Sequence, residues 1–388
     1  MENFQVDDNP DKENGIEMEA FPALDLPPFL EVLDELGRGG QARVVRANDQ
    51  RLVGNDENGN ASSGQVAVKC YPRAFIQRPD VIRRLKREVT NHRGLSHLHV
   101  VGFREVRVTR NYLVMLLNYV SGGTLKEYVV KEGRLDEKTA RWIFQQIALG
   151  VDYCHKRSVT SRDISLDNVL YSESEQIAIL CDFGLSRTDD SISKSDESGR
   201  PLSMVGKQGY VAPELVTRCS GTPTPEDVKR SDIFACGVCL YKMLIGADEF
   251  PLHLRLPVGI PQDGSTNSPT TSCRSQSEFL KTLRNLVETG GVDFMAPYAL
   301  LDLSSECKAF LNNVLNFNPE QRYTMNEIWT DPWFREGLPD PTVRSYNEQV
   351  SDTAFLDDQL SVLQTEQDLV DRVLLAARPD FVPDGYWF

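Results

Sequence analysis

Three short stretches of this chain bring together residue types that could handle a phosphoryl group. The first is Leu36-Gly37-Arg38-Gly39-Gly40-Gln41-Ala42-Arg43-Val44. Glycines let a backbone approach phosphate oxygens closely and aim N–H groups at them. Such a run is also an ordinary hairpin turn, so its meaning depends on the residues downstream of it. Val66-Ala67-Val68-Lys69 then offers a cation for phosphate oxygens, and Glu88 a carboxylate to hold that cation. By themselves Lys69 and Glu88 suit a surface ion pair better. The second stretch is Ser161-Arg162-Asp163-Ile164-Ser165-Leu166-Asp167-Asn168, and the third is Cys181-Asp182-Phe183-Gly184. Magnesium prefers carboxylate, amide and phosphate oxygens, and Asn168 and Asp182 supply the first two kinds. Asp163 adds a carboxylate able to take the proton of an attacking hydroxyl. Taken singly, each of these acids is more often a turn or cap residue.

The elements around them must do the positioning. Gln65–Cys70 and Tyr112–Tyr119 are apolar, rich in β-branched or aromatic residues and bounded by turn formers, which predicts strands. Asp49–Gly64 reads as a long hairpin loop, and Arg83–His92 as a basic helix. From about Gly123 helical spacing takes over, in Leu125–Val130, Glu137–Lys156, Lys229–Leu244, Ser304–Phe317 and Met325–Asp331. Strands first and helices afterwards imply a two-lobed α+β protein. Pro257–Ser275 reads as a flexible insert. Residues 1–28 are acidic and poor in core formers, so order is expected to begin near Phe29. In Ser351–Ala377, Leu356, Leu360, Leu363, Val370 and Leu374 fall at helical spacing. That helix is expected to pack on the chain's own surface, because its seam is short for a coiled coil.

The 388 residues carry a net charge of −15, which argues against bare nucleic acid or an anionic membrane as the main partner. Eight cysteines are scattered without a disulfide-like spacing, which points to a reducing compartment, the cytoplasm or the nucleus. Cys236 and Cys239 form a C-x-x-C inside an apolar run and are expected to be packing residues rather than ligands. No run of about 18 apolar residues suggests a membrane span.

Taken in order, Gly37-x-Gly39…Val44, Val66–Lys69, Glu88, Arg162-Asp163…Asn168, Asp182-Phe183-Gly184 and Ala212-Pro213-Glu214 resemble the signature series of the eukaryotic protein kinases. Ser231–Gly237, Arg322 and Asp331-Pro332-Trp333-Phe334 continue the likeness, which covers about residues 29–334. The resemblance implies a small antiparallel-sheet N-lobe with one main helix (29–117), a large helical C-lobe (118–334) and a tail (335–388) with one amphipathic helix. It implies ATP and Mg2+ as cofactors and protein serine/threonine hydroxyls as acceptors. Gly37, Arg38, Gly39 and Val44 cover the ATP; Val44 and Ala67 enclose the adenine. Leu117, Asn118 and Val120 form the connecting segment beside it. Lys69, positioned by Glu88, holds phosphates, Asp163 orients and deprotonates the hydroxyl, and Asn168 and Asp182 bind the metal. Arg162 pairs with a phosphate on the activation segment 182–214, placed by an upstream kinase on one of Ser191, Ser193, Ser195, Ser198 or Ser203, or with Asp189, Asp190, Asp196 or Glu197 as constitutive mimics of that charge. The likeness also implies that Glu214 pairs with Arg322. The C-lobe is most similar to the calmodulin-dependent and AMP-activated groups.

The sequence departs from the pattern in several places. Ala42 replaces a glycine, and Ser161 replaces the histidine that stacks under the equivalent of Phe183. Ser165 replaces the catalytic-loop lysine, while Lys207 stands where a threonine is expected. A charge exchange, with Lys207 serving where Ser165 cannot, is one reading; a solvent-facing Lys207 is the other. These changes keep a second function open, a kinase-shaped scaffold without phosphoryl transfer. A third possibility is that the C-terminal helix docks in cis and restrains the enzyme, in which case removing residues 340–388 raises activity.

Overall fold

The structure, a computed structural model, describes residues 21–52, 64–193, 206–207, 209–217, 223–246, 302–338 and 364–381. The chain divides into two compact units. The first contains residues 1–93, 102–119 and 361–388; the second contains 94–101 and 120–360. The insert expected at Pro257–Ser275 lies outside the described residues, as does most of the Asp49–Gly64 loop.

The first unit is built on five antiparallel strands, β1 (Leu30–Arg38), β2 (Arg43–Asp49), β3 (Gln65–Pro72), β4 (Phe103–Val108) and β5 (Tyr112–Asn118), in the order β1-β2-β3-β5-β4. Strand alternation divides its side chains between two faces. Val45, Ala47, Val66, Val68, Cys70, Val114 and Leu116 make one buried face. Phe21, Leu24, Leu26 and Phe29 pack against it. The packed, described segment therefore includes residues 21–28, which were expected to lie in the acidic arm before Phe29. The acidic composition of the arm hid three apolar residues that cover a sheet face. Asp25 anchors the same segment: its carboxylate accepts hydrogen bonds from the Thr109 hydroxyl (3.0 Å) and the Asn111 N–H (3.2 Å).

The other face carries helices. After the short turn α1 (Arg73–Ile76), α2 (Pro79–Arg93) buries Val81, Leu85, Glu88, Val89 and His92. The C-terminal helix belongs to this unit too. It runs over Glu366–Ala376, shorter than the spacing over Ser351–Ala377 suggested, and starts at a Thr365/Asp368 capping box. Residues 351–363 lie outside the described set. Its stripe of Leu369, Val373 and Ala376 shares a core with Leu85 and Val89 of α2 and with Val106 and Val108 of β4. Sheet edges need their backbone groups satisfied, and the Gln364 amide does this for edge strand β4. Its Nε2 donates to the Val106 carbonyl (2.8 Å) and its Oε1 accepts the Val106 N–H (2.9 Å). Arg73 closes the far end by donating to the carbonyls of Ala376 and Arg378. The helix expected in the tail shares the first unit's core.

The second unit is helical. Its elements are α3 (Leu125–Glu132), α4 (Glu137–Lys156), α5 (Asp189–Ser193), α6 (Pro213–Thr217), α7 (Pro225–Ile245), α8 (Ser305–Val314), α9 (Met325–Thr330) and α10 (Pro332–Arg335). The α4 bounds match the spacing-based reading. Helix α7 begins at Pro225 rather than Lys229, because Thr224 and Asp227 form a capping box around an N-terminal proline. Phe144, Phe310, Trp333 and Phe334 join α4, α8 and α10 in one aromatic core. Two small two-stranded sheets serve the site. Strand β6 (Val159–Thr160) pairs with β9 (Arg187–Thr188), and β7 (Val169–Ser172) with β8 (Ile177–Leu180).

Candidate active site

In the first unit, sheet register brings the expected nucleotide residues onto one face. Val44 is paired with Lys69, Ala67 with Leu117 and Gly37 with Val44. The side chains of Val44, Ala67, Lys69 and Leu117 are only partly buried, unlike the face behind them. Arg38 is turned back onto Glu35 (3.1 Å) and is exposed. The Asn118 N–H bonds the Gly102 carbonyl and its side-chain oxygen accepts from Arg104, while Val120 begins the second unit. Lys69 Nζ lies 2.9 Å from Glu88 Oε1, and Glu88 is 3% exposed. This is a buried pair rather than the surface pair the residue types alone allowed. Tyr71 Oη donates to the same oxygen at 2.7 Å.

The glycine loop tests whether the site suits ATP. Gly37 and Gly39 do not use the left-handed region, and a Cβ on Gly37 meets no protein atom within 4 Å. The fold itself does not require glycine there, whereas a phosphate chain brought against the backbone does. Gly37→Ala is therefore expected to leave the melting temperature of the apo chain within about 1 °C of the parent while raising KM for ATP about tenfold. Melting curves and initial rates check both halves.

In the second unit, the catalytic stretch leaves β6 through a left-handed Arg162 (φ 65°). Such a conformation is costly for a non-glycine residue and needs support. Asp232 of α7, 1% exposed, provides it by accepting the N–H groups of Ser161 and Arg162, both at 2.9 Å. His155 Nε2 bonds the same carboxylate at 2.9 Å. Asp163 is then fixed by Asn168, whose Nδ2 donates to its carbonyl and to its Oδ2, each at 2.8 Å. The Asn168 carbonyl accepts the Cys181 N–H (2.9 Å), which sets Asp182 beside this loop. Asp182 is also left-handed (φ 61°), and its carboxylate accepts the Gly184 N–H (3.0 Å). With Asn168 Nδ2 directed at Asp163, the amide offers its oxygen to a cation. That oxygen and the Asp182 carboxylate are the hard donors magnesium takes. Phe183 is 1% exposed within the core despite Ser161. Cys236 and Cys239 are buried and burial pushes both thiols up, as packing residues require.

Lys207, expected to serve where Ser165 lacks a charge, pairs through Nζ with Oδ2 of Asp167, two residues further along the loop. Lys126 Nζ approaches the other oxygen at 3.4 Å. Burial alone raises the Asp167 carboxyl; the hydrogen bond and charge of Lys207, with those of Lys126, outweigh it and hold the group below its usual value. Ser191 lies in α5 with its hydroxyl on the Thr188 carbonyl (2.8 Å), while Ser195, Ser198 and Ser203 lie outside the described residues. Sequence reasoning missed Tyr71, Asp167 and Tyr210. A polar residue two positions from Lys69 and an acid next to Asn168 were the available signals.

The structure thus brings Lys69 to Glu88 in one unit, and Arg162, Asp163, Asn168 and Asp182 together in the other. Comparison with known proteins identifies the family. The protein kinase domain model matches residues 30–334. Among curated relatives, the serine/threonine-protein kinase SAPK4 of Oryza sativa subsp. japonica is 32% identical over 92% of this chain and 86% of its own length. The serine/threonine-protein kinase SRK2G of Arabidopsis thaliana is 32% identical over 90% and 84%. The serine/threonine-protein kinase SAPK9 of Oryza sativa subsp. japonica is 34% identical over 80% and 72%. Two units carrying these pairs in this order, with a domain match over most of the chain, make this protein a member of the protein kinase family.

Proposed function

We propose that this chain is an active serine/threonine kinase, transferring the γ-phosphate of ATP to protein hydroxyls. The observation that carries the reading is Asp163, held at both its carbonyl and its carboxylate by Asn168 on a loop anchored by buried Asp232. An oriented carboxylate there can align a hydroxyl and accept its proton, and alignment is a large part of phosphoryl transfer. Lys69, steadied by Glu88 and Tyr71, is the cation for ATP phosphates. Asn168 and Asp182 would hold magnesium, which when bound supplies charge stabilisation at phosphate oxygens. The names of the relatives support serine and threonine as acceptors. A C-lobe of the calmodulin-dependent or AMP-activated type is our reading of Asp331-Pro332-Trp333-Phe334. Control by an upstream kinase is our reading of Arg162, and a reducing compartment, the cytoplasm or nucleus, that of the cysteines.

Transfer from labelled ATP with Mg2+, to the chain itself and to a generic serine/threonine substrate, tests the proposal against an Asp163→Asn control. Transfer that disappears in the control supports it. No transfer, even after treatment with an activating kinase, overturns it in favour of a scaffold.

The same reading extends to the C-terminal helix. It docks in cis and supports α2, the element that carries Glu88, so it sustains activity rather than restraining it. Deleting residues 361–388 uncovers the Leu85–Val89 stripe and leaves the Val106 backbone unpaired. Phosphate transfer is then expected to fall at least about tenfold and melting by several degrees, an effect of about 2–5 kcal/mol for losing such a core. A rise in activity on deletion contradicts this role.

A further inference from the structure

We propose that Lys207 and Lys126 form a cationic substrate-selection element beside Asp163, favouring protein substrates with acidic residues next to the phosphorylated hydroxyl. This rests on the kinase reading above and names the substrate class of that site.

The placement of Lys207 is built into the backbone. Gly206 takes φ 136°, and a Cβ there would come within 3.2 Å of the Arg162 carbonyl and 3.1 Å of a Val211 methyl. Glycine therefore lets the activation segment lie against the catalytic loop. The Lys207 carbonyl accepts the Tyr210 N–H (3.1 Å), and the buried Tyr210 hydroxyl accepts the Leu166 N–H (3.3 Å). The segment is thus tied to the turn that carries Asp167 and Asn168. A shallow cavity between the two is lined by Arg162, Asp163, Lys207 and Tyr210.

The charges around Asp167 do not balance. Among the described residues, two ammonium groups share the Asp167 carboxylate, so these three groups together carry one positive charge, and all three side chains remain accessible: 43% for Lys126, 34% for Asp167 and 40% for Lys207. Ion pairs so exposed add little to folding stability, so the cluster acts mainly on what approaches it. A lone Asp167 so near Asp163 would attract basic substrates. Its neutralisation and the surplus charge reverse that field, a local exception on a chain of net charge −15. At contact distance in a water-exposed setting, one substrate charge changes binding about fivefold.

The test uses the full chain and three peptides sharing one serine acceptor, flanked by Asp, by Gln or by Arg. Binding is read by fluorescence anisotropy without ATP, and kcat and KM are measured separately. The Asp peptide should bind at least about fivefold more tightly than the Arg peptide, and the margin should shrink with salt. Lys207→Met and Lys126→Met should each reduce that ratio, Lys207→Arg should preserve it, and Asp167→Asn should widen it. An unchanged ratio in both methionine variants, or tighter binding of the Arg peptide by the parent chain, overturns the proposal. A common fall in kcat on all three peptides with an unchanged binding ratio also overturns it and leaves Lys207 a positioning residue. Because binding needs no turnover, a chain that transfers no phosphate yet keeps the charge preference refutes the kinase reading and, with it, the role in substrate selection, whereas transfer without the preference overturns this proposal alone.

Discussion

Asp163→Asn is expected to lower the rate of phosphate transfer about a thousandfold, within the range for loss of a positioned general base. The argument depends on what the substitution leaves intact. Asn168 donates one amide nitrogen to the Asp163 carbonyl and side-chain oxygen, and an asparagine at 163 still offers both oxygens. The loop's left-handed turn depends on Asp232, which accepts the N–H groups of Ser161 and Arg162 and is untouched. The negative charge and the capacity to accept a proton are removed. Melting should therefore stay within about 1 °C of the parent, and the loss should appear in kcat far more than in KM for ATP. A drop of several degrees in melting would instead point to a collapsed loop, and a rate within about tenfold of the parent would remove Asp163 from its assigned role.

Arg322→Ala is expected to destabilise the second unit by about 3–5 kcal/mol, the cost of breaking a buried pair from one side. Arg322 is 1% exposed and Glu214 is 7% exposed. The guanidinium makes two parallel bonds to the Glu214 carboxylate, at 2.7 and 2.8 Å, and two more to the carbonyls of Asn316 and Arg230, at 2.8 and 2.9 Å. Truncation removes all four bonds and leaves the Glu214 carboxylate buried without its guanidinium partner. Replacing both partners, Arg322→Met with Glu214→Leu, should recover part of the loss, because no charge is then left unpaired in the core. Urea unfolding of the three proteins checks the order. A single-variant loss below about 1 kcal/mol, or a double variant less stable than Arg322→Ala, would show that the pair does not have this role.

Much of the site could be read in one dimension. The Glu137–Lys156 helix follows from the spacing of its own apolar residues, and Lys69 and Glu88 could be assigned once the ordered series of motifs that resembles the kinases gave them their places. The features that escaped notice depended on partners far along the chain. Residues 21–28 look like an acidic arm until Phe21, Leu24 and Leu26 meet the back of the sheet. Before the terminal helix, nothing local marks Gln364, whose amide pairs with Val106. Lys207 was recognised as a departure from the pattern, but its partner Asp167 was not.

The sequence by itself determined the two-part α+β organisation, most helix positions and the chemistry-bearing residue types, because periodicity and turn formers act over a few neighbouring residues. Tertiary structure alone decided which charges meet and which stay in water. It buried Glu88 with Lys69 and Tyr71, put Asp232 under the catalytic loop and set Lys207 on Asp167. Those outcomes depend on distances between residues remote in sequence, and on desolvation that no local pattern encodes.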